Sequence, residues 1–518
     1  MATPIKKIII VGGGSAGWMT ASTIVKQIKN VELTLVESSD IPTVGVGEST
    51  VGGIRRWMRM IGIKDEEFVK ETDASYKLAI KFNNFYEKGN TWYYPFGGPH
   101  LKENIYNRND WFVKKSLHPD TPEYDMTDCY YPQMSLVKQN KISVDPNIPD
   151  FKFYEDTAFH FDASKFGVWL KNHICLPNGV KHIVADVSPV VENRQIKYLQ
   201  LSNGEKLSAD LYVDCTGFKS LLLGESLQEP FISYENLLPN NRAWATRVPY
   251  IDKDKELQSV TECTAIDYGW VWNIPLWSRV GTGYVYSDKH ISSENALKEF
   301  KQYLNNKGHQ TDSLEFRDIK MRVGRHKKLW VNNVVAVGLS AAFIEPLEST
   351  GLVTVYEFAI NLCRALRRES ISQWDIDEYN STSIDQFDYF AQFVCMHYAL
   401  SHRNDTSYWQ DVTSRSYLSE LANLGELQTQ SLLHHTIWKK FNDWQLPLDN
   451  GLLCLAAGMN WYPMDEIIIN GFNQEIEDNK VWYRKAIVGL DMRKAEWNNA
   501  VKELPSLKDF LYTNYYKD

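Results

Sequence analysis

The first apolar run, KIIIV (7–11), breaks on GGGSAG and resumes as WMTASTIVKQI, where apolar residues recur at helical spacing. That order predicts a buried strand, a tight glycine turn and a helix, and NVELTLVES (30–38) predicts the next strand. Residues 75–160 are rich in Tyr, Trp, Asn and Pro with little periodicity, which predicts long loops over a scaffold. DASKFGVWLKNHI (162–174) has helical spacing, and KYLQLSNGEKLSADLYVDCTG (197–217) reads as strands joined by turns. AWATRVPY, GWVWNIPLW, GTGYVYS and NNVVAVG read as further strands, and STGLVTVYEFAINLCRALRR (349–368) as a helix entering the core. Helical patterns dominate from about 395. The expected fold class is α/β, α+β in part: a Rossmann-like domain over 1–395 with a loop-rich insertion near 83–160, then a mainly helical module over 396–518.

Composition narrows the partners. The 518 residues are 43% hydrophobic and 23% charged, ordinary for a globular protein. A net charge of -9 with no basic block argues against nucleic acid. Seven scattered cysteines without a CxxC pair indicate neither a disulfide framework nor a metal site. The N-terminus lacks a signal-peptide layout and no apolar run reaches membrane-span length, so a cytoplasmic protein without a membrane partner is expected.

Gly12, Gly14 and Gly17 form GxGxxG between strand and helix, and Glu37 closes the next strand twenty residues past Gly17. Glycines permit the tight turn and close backbone approach; the helix N-terminus faces a pyrophosphate, and the acid accepts from a ribose hydroxyl. DCTGF, a strand end turning on Gly217, favours FAD over NAD. No second fingerprint follows, so nicotinamide binds in a shallow groove or another protein supplies the electrons.

Three further stretches stay open on spacing alone. In FIEPLESTGLVTVYEF, Ser349 or Thr350 can cap a helix, or the first amides can hold a small anion; Glu348 is buried with the cap or acts as a base. In ASYKLAIKF, alternation puts Lys77, Ala79 and Lys81 on one face, usually a solvated one. Trp270 and Trp272 share one side of an extended segment, as strand core or as an aromatic wall.

Taken together, GGGSAGWMTA, IPTVGVGES, ASYKLAIKF, FHFDA, DCTGF, GWVWNIP, GTGYVYS, IEPLESTG, SHRNDTSYW and ELPSLKDFL resemble the flavin-dependent tryptophan halogenases, in order over nearly the whole chain. The resemblance implies FAD as cofactor, reduced by a separate reductase, and a hydroperoxide whose distal oxygen is attacked by halide to give hypohalous acid. It implies FAD contacts at Gly12, Gly14, Ser15, Ala16, Gly17, Glu37, Gly45, Val46, Gly47, Glu48, Gly217, Gly338 and Ser349, and a halide ion at the Thr350–Gly351 amides. Lys77 positions or captures the hypohalous acid, and Glu348 polarises the electrophile or takes the ring proton. Trp270, Trp272, Ile274 and Pro275 form a barrier between flavin and substrate. A homodimer is left open.

The substrate end departs from the family. In WYYPFGG, Tyr94 replaces a histidine and Phe96 remains, with Trp92, Tyr93, Tyr94 and Phe96 read as an aromatic wall for a flat ring. Leu452 and Leu453 stand where a tyrosine pair would grip an amino acid, and Lys439 and Lys440 where an acidic run would be. A small aromatic substrate without the zwitterion, indole- or phenol-like, follows. The alternatives are a flavin aromatic monooxygenase and a non-catalytic flavin-binding protein.

Overall fold

Strand Lys7–Val11 lies inside a parallel sheet, with Leu211–Asp214 and Val334–Ala336 on one side and Glu32–Glu37 and Lys181–Val184 on the other. Trp330–Val331 adds an antiparallel edge. Ile8, Ile9 and Ile10 are wholly buried, as a strand covered on both faces requires. The computed structural model describes residues 4–39, 47–100, 110–414, 449–461 and 477–517. Helix Ser15–Gln27 packs against helix Gly351–Leu366; its residues 17–24 are all buried, which explains its weak amphipathic pattern.

A second, seven-stranded sheet runs in the order Arg317–Lys320, Arg242–Val248, Val280–Tyr286, Gly269–Pro275, Val260–Ile266, Ala79–Asn83 and Thr91–Pro95. Neighbours are antiparallel except Val260–Ile266 with Ala79–Asn83. A third sheet is small, with three strands. Ala158–Phe161 pairs with Glu48–Ser49 on one side and Ser75–Lys77 on the other.

Two expectations need correction. The stretch 75–160 is not a set of long loops: its described residues hold strands and the short helices Asp110–Leu117, Asp125–Tyr130, Met134–Gln139 and Phe153–Asp156. One or two turns are too short to show a period. The second concerns ASYKLAIKF, which is two strands. The break falls at Leu78, whose N–H donates to Ser259 and whose carbonyl accepts from Phe96. Lys77 and Lys81 therefore belong to different sheets; Lys77 is wholly buried, while Lys81 pairs with Glu262 at 3.1 Å.

Helix Gln373–Ala399 runs unbroken across residue 395. Helix Asp449–Gly458 packs against strand Thr91–Pro95, and Glu477–Ala500 against Asp110–Leu117 and Asp125–Tyr130. All seven cysteines are buried and free. Asp125, Cys129 and Asp491 cluster, but Lys114 and Lys494 pair with both carboxylates, so the group reads as an ion-pair network. Among the described residues no helix is long and apolar enough to cross a membrane.

Candidate active site

The nucleotide end is built by glycines. Gly12 has φ +114°, and a Cβ there would lie 2.2 Å from the Cys215 carbonyl oxygen. A Cβ on Gly17 would lie 1.9 Å from the Gly12 oxygen, so glycine at 17 lets the helix approach the turn and glycine at 12 lets the turn approach the neighbouring strand end. Gly14 and Gly217 differ: a Cβ on either meets nothing within 4 Å, leaving open space before both turns. Helix Ser15–Gln27 has no side-chain cap and no acid in its first turn, so its leading amides are free for a phosphate. Ser15 Oγ donates to Ala163, and Gly338 (φ +74°) faces Ala16. These features fit FAD. A Cβ on Gly13 would collide with the Glu37 side chain, which would have to move from its place. The Glu37 carboxylate also meets His182 Nε2 at 2.7 Å, a partner the sequence pattern did not suggest.

Gly45 and Val46 lie outside the described residues. Gly47, at φ +134°, packs against Leu276 and Ile274, so it abuts the end of the tryptophan strand. Burial, reinforced by Asp162, pushes the Glu48 carboxyl up to about 7. Its Oε2 would stand 4.0 Å from a Cβ on Gly351, at the start of the core helix.

That helix start is not capped by Ser349 or Thr350. Thr350 occupies the N-cap position without a side-chain cap bond, and its hydroxyl is buried without a hydrogen-bond partner. Ser349 has the left-handed φ of 57°, and its hydroxyl turns to Lys77 instead. Lys77 Nζ donates to Ser349 Oγ at 2.9 Å and to the Thr50 carbonyl at 3.0 Å, and sits 4.9 Å from the Phe96 ring centre. Burial brings its ammonium down to about 7, with Cys263 and Glu348 opposing the fall.

Glu348 is buried near enough for its charge to act on Lys77. Its Oε1 lies 2.7 Å from His397 Nε2, but off the angle a hydrogen bond needs, and neither carboxylate oxygen has another hydrogen-bond partner. His397 Nδ1 faces the Phe393 carbonyl at 3.0 Å. A lone histidine on an apolar helix face carried no signal in the sequence. Burial, and then Glu348, pushes the Tyr94 phenol upward.

Trp270, Trp272, Ile274 and Pro275 lie on one strand, with the two indoles 6.2 Å apart on the same side. Trp270 Nε1 donates to Glu345 at 2.7 Å, and the same oxygen accepts from Tyr398 and Asn240. Glu345, missed in the sequence, thus fixes the Trp270 indole. Trp272 fits only because position 283 is glycine, where a Cβ would come 2.2 Å from the ring.

The aromatic wall is smaller than expected. Trp92 stacks on Phe82 at 4.2 Å and lies close to His397, so it is core. Tyr93 points the other way, toward Lys138. Tyr94 and Phe96 remain, 6.3 Å apart, with Tyr94 also against Phe393. Leu452 and Leu453 are 1% exposed on the helix behind them. Lys439 and Lys440 lie outside the described residues.

Comparison with known proteins gives the family. A family model described as tryptophan halogenase matches residues 7–465. Tryptophan 6-halogenase ThaL of Streptomyces albogriseolus is 33% identical over 428 residues, 79% of each chain. The apo structure of VirX1 is 36% identical with a TM-score of 0.88, covering 99% of this chain and 100% of that one. BrvH, a flavin-dependent halogenase from Brevundimonas sp. BAL3, is 28% identical with a TM-score of 0.83, covering 98% and 99%. Enzymes of this family are flavin-dependent, work with a separate flavin reductase and act on aromatic substrates. The chain belongs to the tryptophan halogenase family and is a flavin-dependent halogenase, an enzyme that halogenates aromatic compounds with reduced flavin, dioxygen and halide.

Proposed function

We propose that this halogenase delivers halogen through Lys77 to an indole- or phenol-like ring that carries no amino-acid group, with Glu348 taking the ring proton. Reduced FAD, when bound, supplies with dioxygen the oxidising power that turns halide into an electrophile. The chain's own residues do the rest. The leading amides of helix Gly351–Leu366 hold the halide; the missing side-chain cap supports this. Lys77 has two of its N–H bonds held by Ser349 and Thr50, which leaves its third position for the incoming hypohalous acid. In that position a charged lysine donates a hydrogen bond and a neutral one offers its lone pair.

Glu348, a carboxylate without a hydrogen-bond partner, is suited to accept a proton from the ring. Trp270 and Trp272 keep the substrate ring away from the cofactor. The single observation carrying the reading is Lys77: a wholly buried lysine, tethered by two acceptors, beside a buried acid.

The substrate class rests on Leu452 and Leu453. Two buried apolar side chains offer nothing to an ammonium or carboxylate group, whereas Tyr94 and Phe96 offer ring contacts. The test is the protein with a flavin reductase, FAD and each halide in turn, given tryptophan, simple indoles and phenols, with products read by mass spectrometry. Simple indoles or phenols should be halogenated at least as fast as tryptophan. Strong preference for tryptophan would remove the substrate assignment, and hydroxylated products without halide dependence would remove the halogen-transfer role.

A further inference from the structure

His160, in the FHFDA stretch, has no part in the roles above, yet a buried chain of hydroxyls joins it to Lys77. It sits at the centre of the small sheet, in register with Ser49 on one side and Ser75 on the other. His160, Ser75, Thr261, Ser49 and Ser349 are all buried.

The hydrogens of this chain point one way. Ser75 Oγ donates to the Pro275 carbonyl at 2.5 Å, so toward His160 Nδ1, 3.3 Å away, it acts as acceptor. Nδ1 then carries the imidazole proton. Burial, then the Lys77 charge, holds His160 well below its ordinary range, so it is neutral and Nε2 is an acceptor. Thr261 Oγ1, 2.8 Å from Nε2, donates to it. Ser49 therefore donates to Thr261 at 2.5 Å, and Ser349 to Ser49 at 3.1 Å. Ser349 is left as an acceptor facing Lys77 Nζ.

We propose that His160 is a positioning residue for Lys77: through Thr261, Ser49 and Ser349, its Nδ1–H tautomer fixes the direction of the hydroxyl chain and so the orientation of the lysine amine. Reversed, the chain would turn a Ser349 hydrogen toward Nζ and release the N–H it now holds. The inference rests on the role given to Lys77 above.

Two measurements on the full-length protein test it. Nitrogen NMR of histidine-labelled protein, with His160 assigned by its loss in His160→Gln, should show a proton on Nδ1 and none on Nε2. A proton on Nε2 overturns the proposal. In product assays, Thr261→Val and His160→Phe should lose roughly tenfold in halogenation while flavin oxidation continues. His160→Gln, which keeps an acceptor and a donor, should restore most of it. Full activity in Thr261→Val, or a Gln variant no better than Phe, overturns the proposal. An active Lys77→Ala enzyme would remove the role of Lys77 and this inference with it; an inactive one beside a fully active Thr261→Val removes this inference alone.

Discussion

Replacing Lys77 by methionine should destroy halogenation and yet stabilise the fold near neutral pH. Burial brings the folded-state ammonium from 10.5 to about 7. That gap corresponds to about 5 kcal/mol, of which about 4 kcal/mol acts on the folded state at pH 7, where roughly half the amine is still charged. Methionine spans a similar length without the charge. It leaves the Thr50 carbonyl and Ser349 hydroxyl each short of one partner, costing about 1 kcal/mol apiece. The net expectation is a gain of about 2 kcal/mol at pH 7.

The sign of the pH dependence follows from proton counts. Unfolded, the lysine holds its proton up to 10.5; folded, only up to about 7. Between those values the unfolded state binds more protons, so wild-type stability rises with pH. By about pH 9.5 the advantage of methionine shrinks by about 3 kcal/mol and changes sign. Urea titrations of both proteins, followed by tryptophan fluorescence at the two pH values, measure this difference directly. A stability difference that does not change with pH would refute the reading of Lys77 as a buried amine whose charge is disfavoured in the fold.

Four other outcomes are expected. Glu348→Gln should slow halogenation by roughly a hundredfold while reduced-flavin oxidation continues, and an unchanged rate would remove its role as base. Glu48, at about 7, ionises as pH rises and then sits near Gly351, so the halide concentration for half-maximal rate should climb above pH 7. Glu48→Gln should flatten that dependence. Gly283→Ala puts a Cβ into the Trp272 ring, and should cost about 1–3 kcal/mol in unfolding experiments and raise unproductive flavin oxidation. The chain alone should oxidise no NAD(P)H, since one dinucleotide fingerprint is present; rapid turnover without added reductase would contradict this.

The parts of the fold legible in the sequence are those where one element sees one environment. KIIIV is buried on both faces and reads as a continuous apolar run; Gly351–Leu366 shows its period over sixteen residues. Legibility failed where the chain changes environment within a residue or two. Lys77 and Lys81 look like one face because alternation assumes a continuous strand, and the switch between sheets at Leu78 leaves no compositional mark. Trp92 and Tyr93 look like a wall because nothing local says that Gly458 and His397 claim the Trp92 side. His160 and His397, both buried, and the acid Glu345 acquire meaning only from partners far along the chain.

A lysine that meets an electrophilic halogen has to be dry, fixed and partly uncharged near neutral pH. Burial alone supplies the last condition but removes the water that would otherwise accept from its N–H bonds. The protein must supply acceptors in their place, and one of them, Ser349, comes from the residue immediately before the Thr350 cap position. Its left-handed backbone carries the hydroxyl away from the helix and toward Lys77. The same turn leaves Thr350 without a cap bond, so the leading amides of the helix stay open to an anion. A conventional serine cap here would satisfy the helix and abandon the lysine. In the proposed mechanism the backbone strain at Ser349, of order 1–3 kcal/mol, would serve both ends of the reaction, the amides offered to halide and the amine offered to halogen.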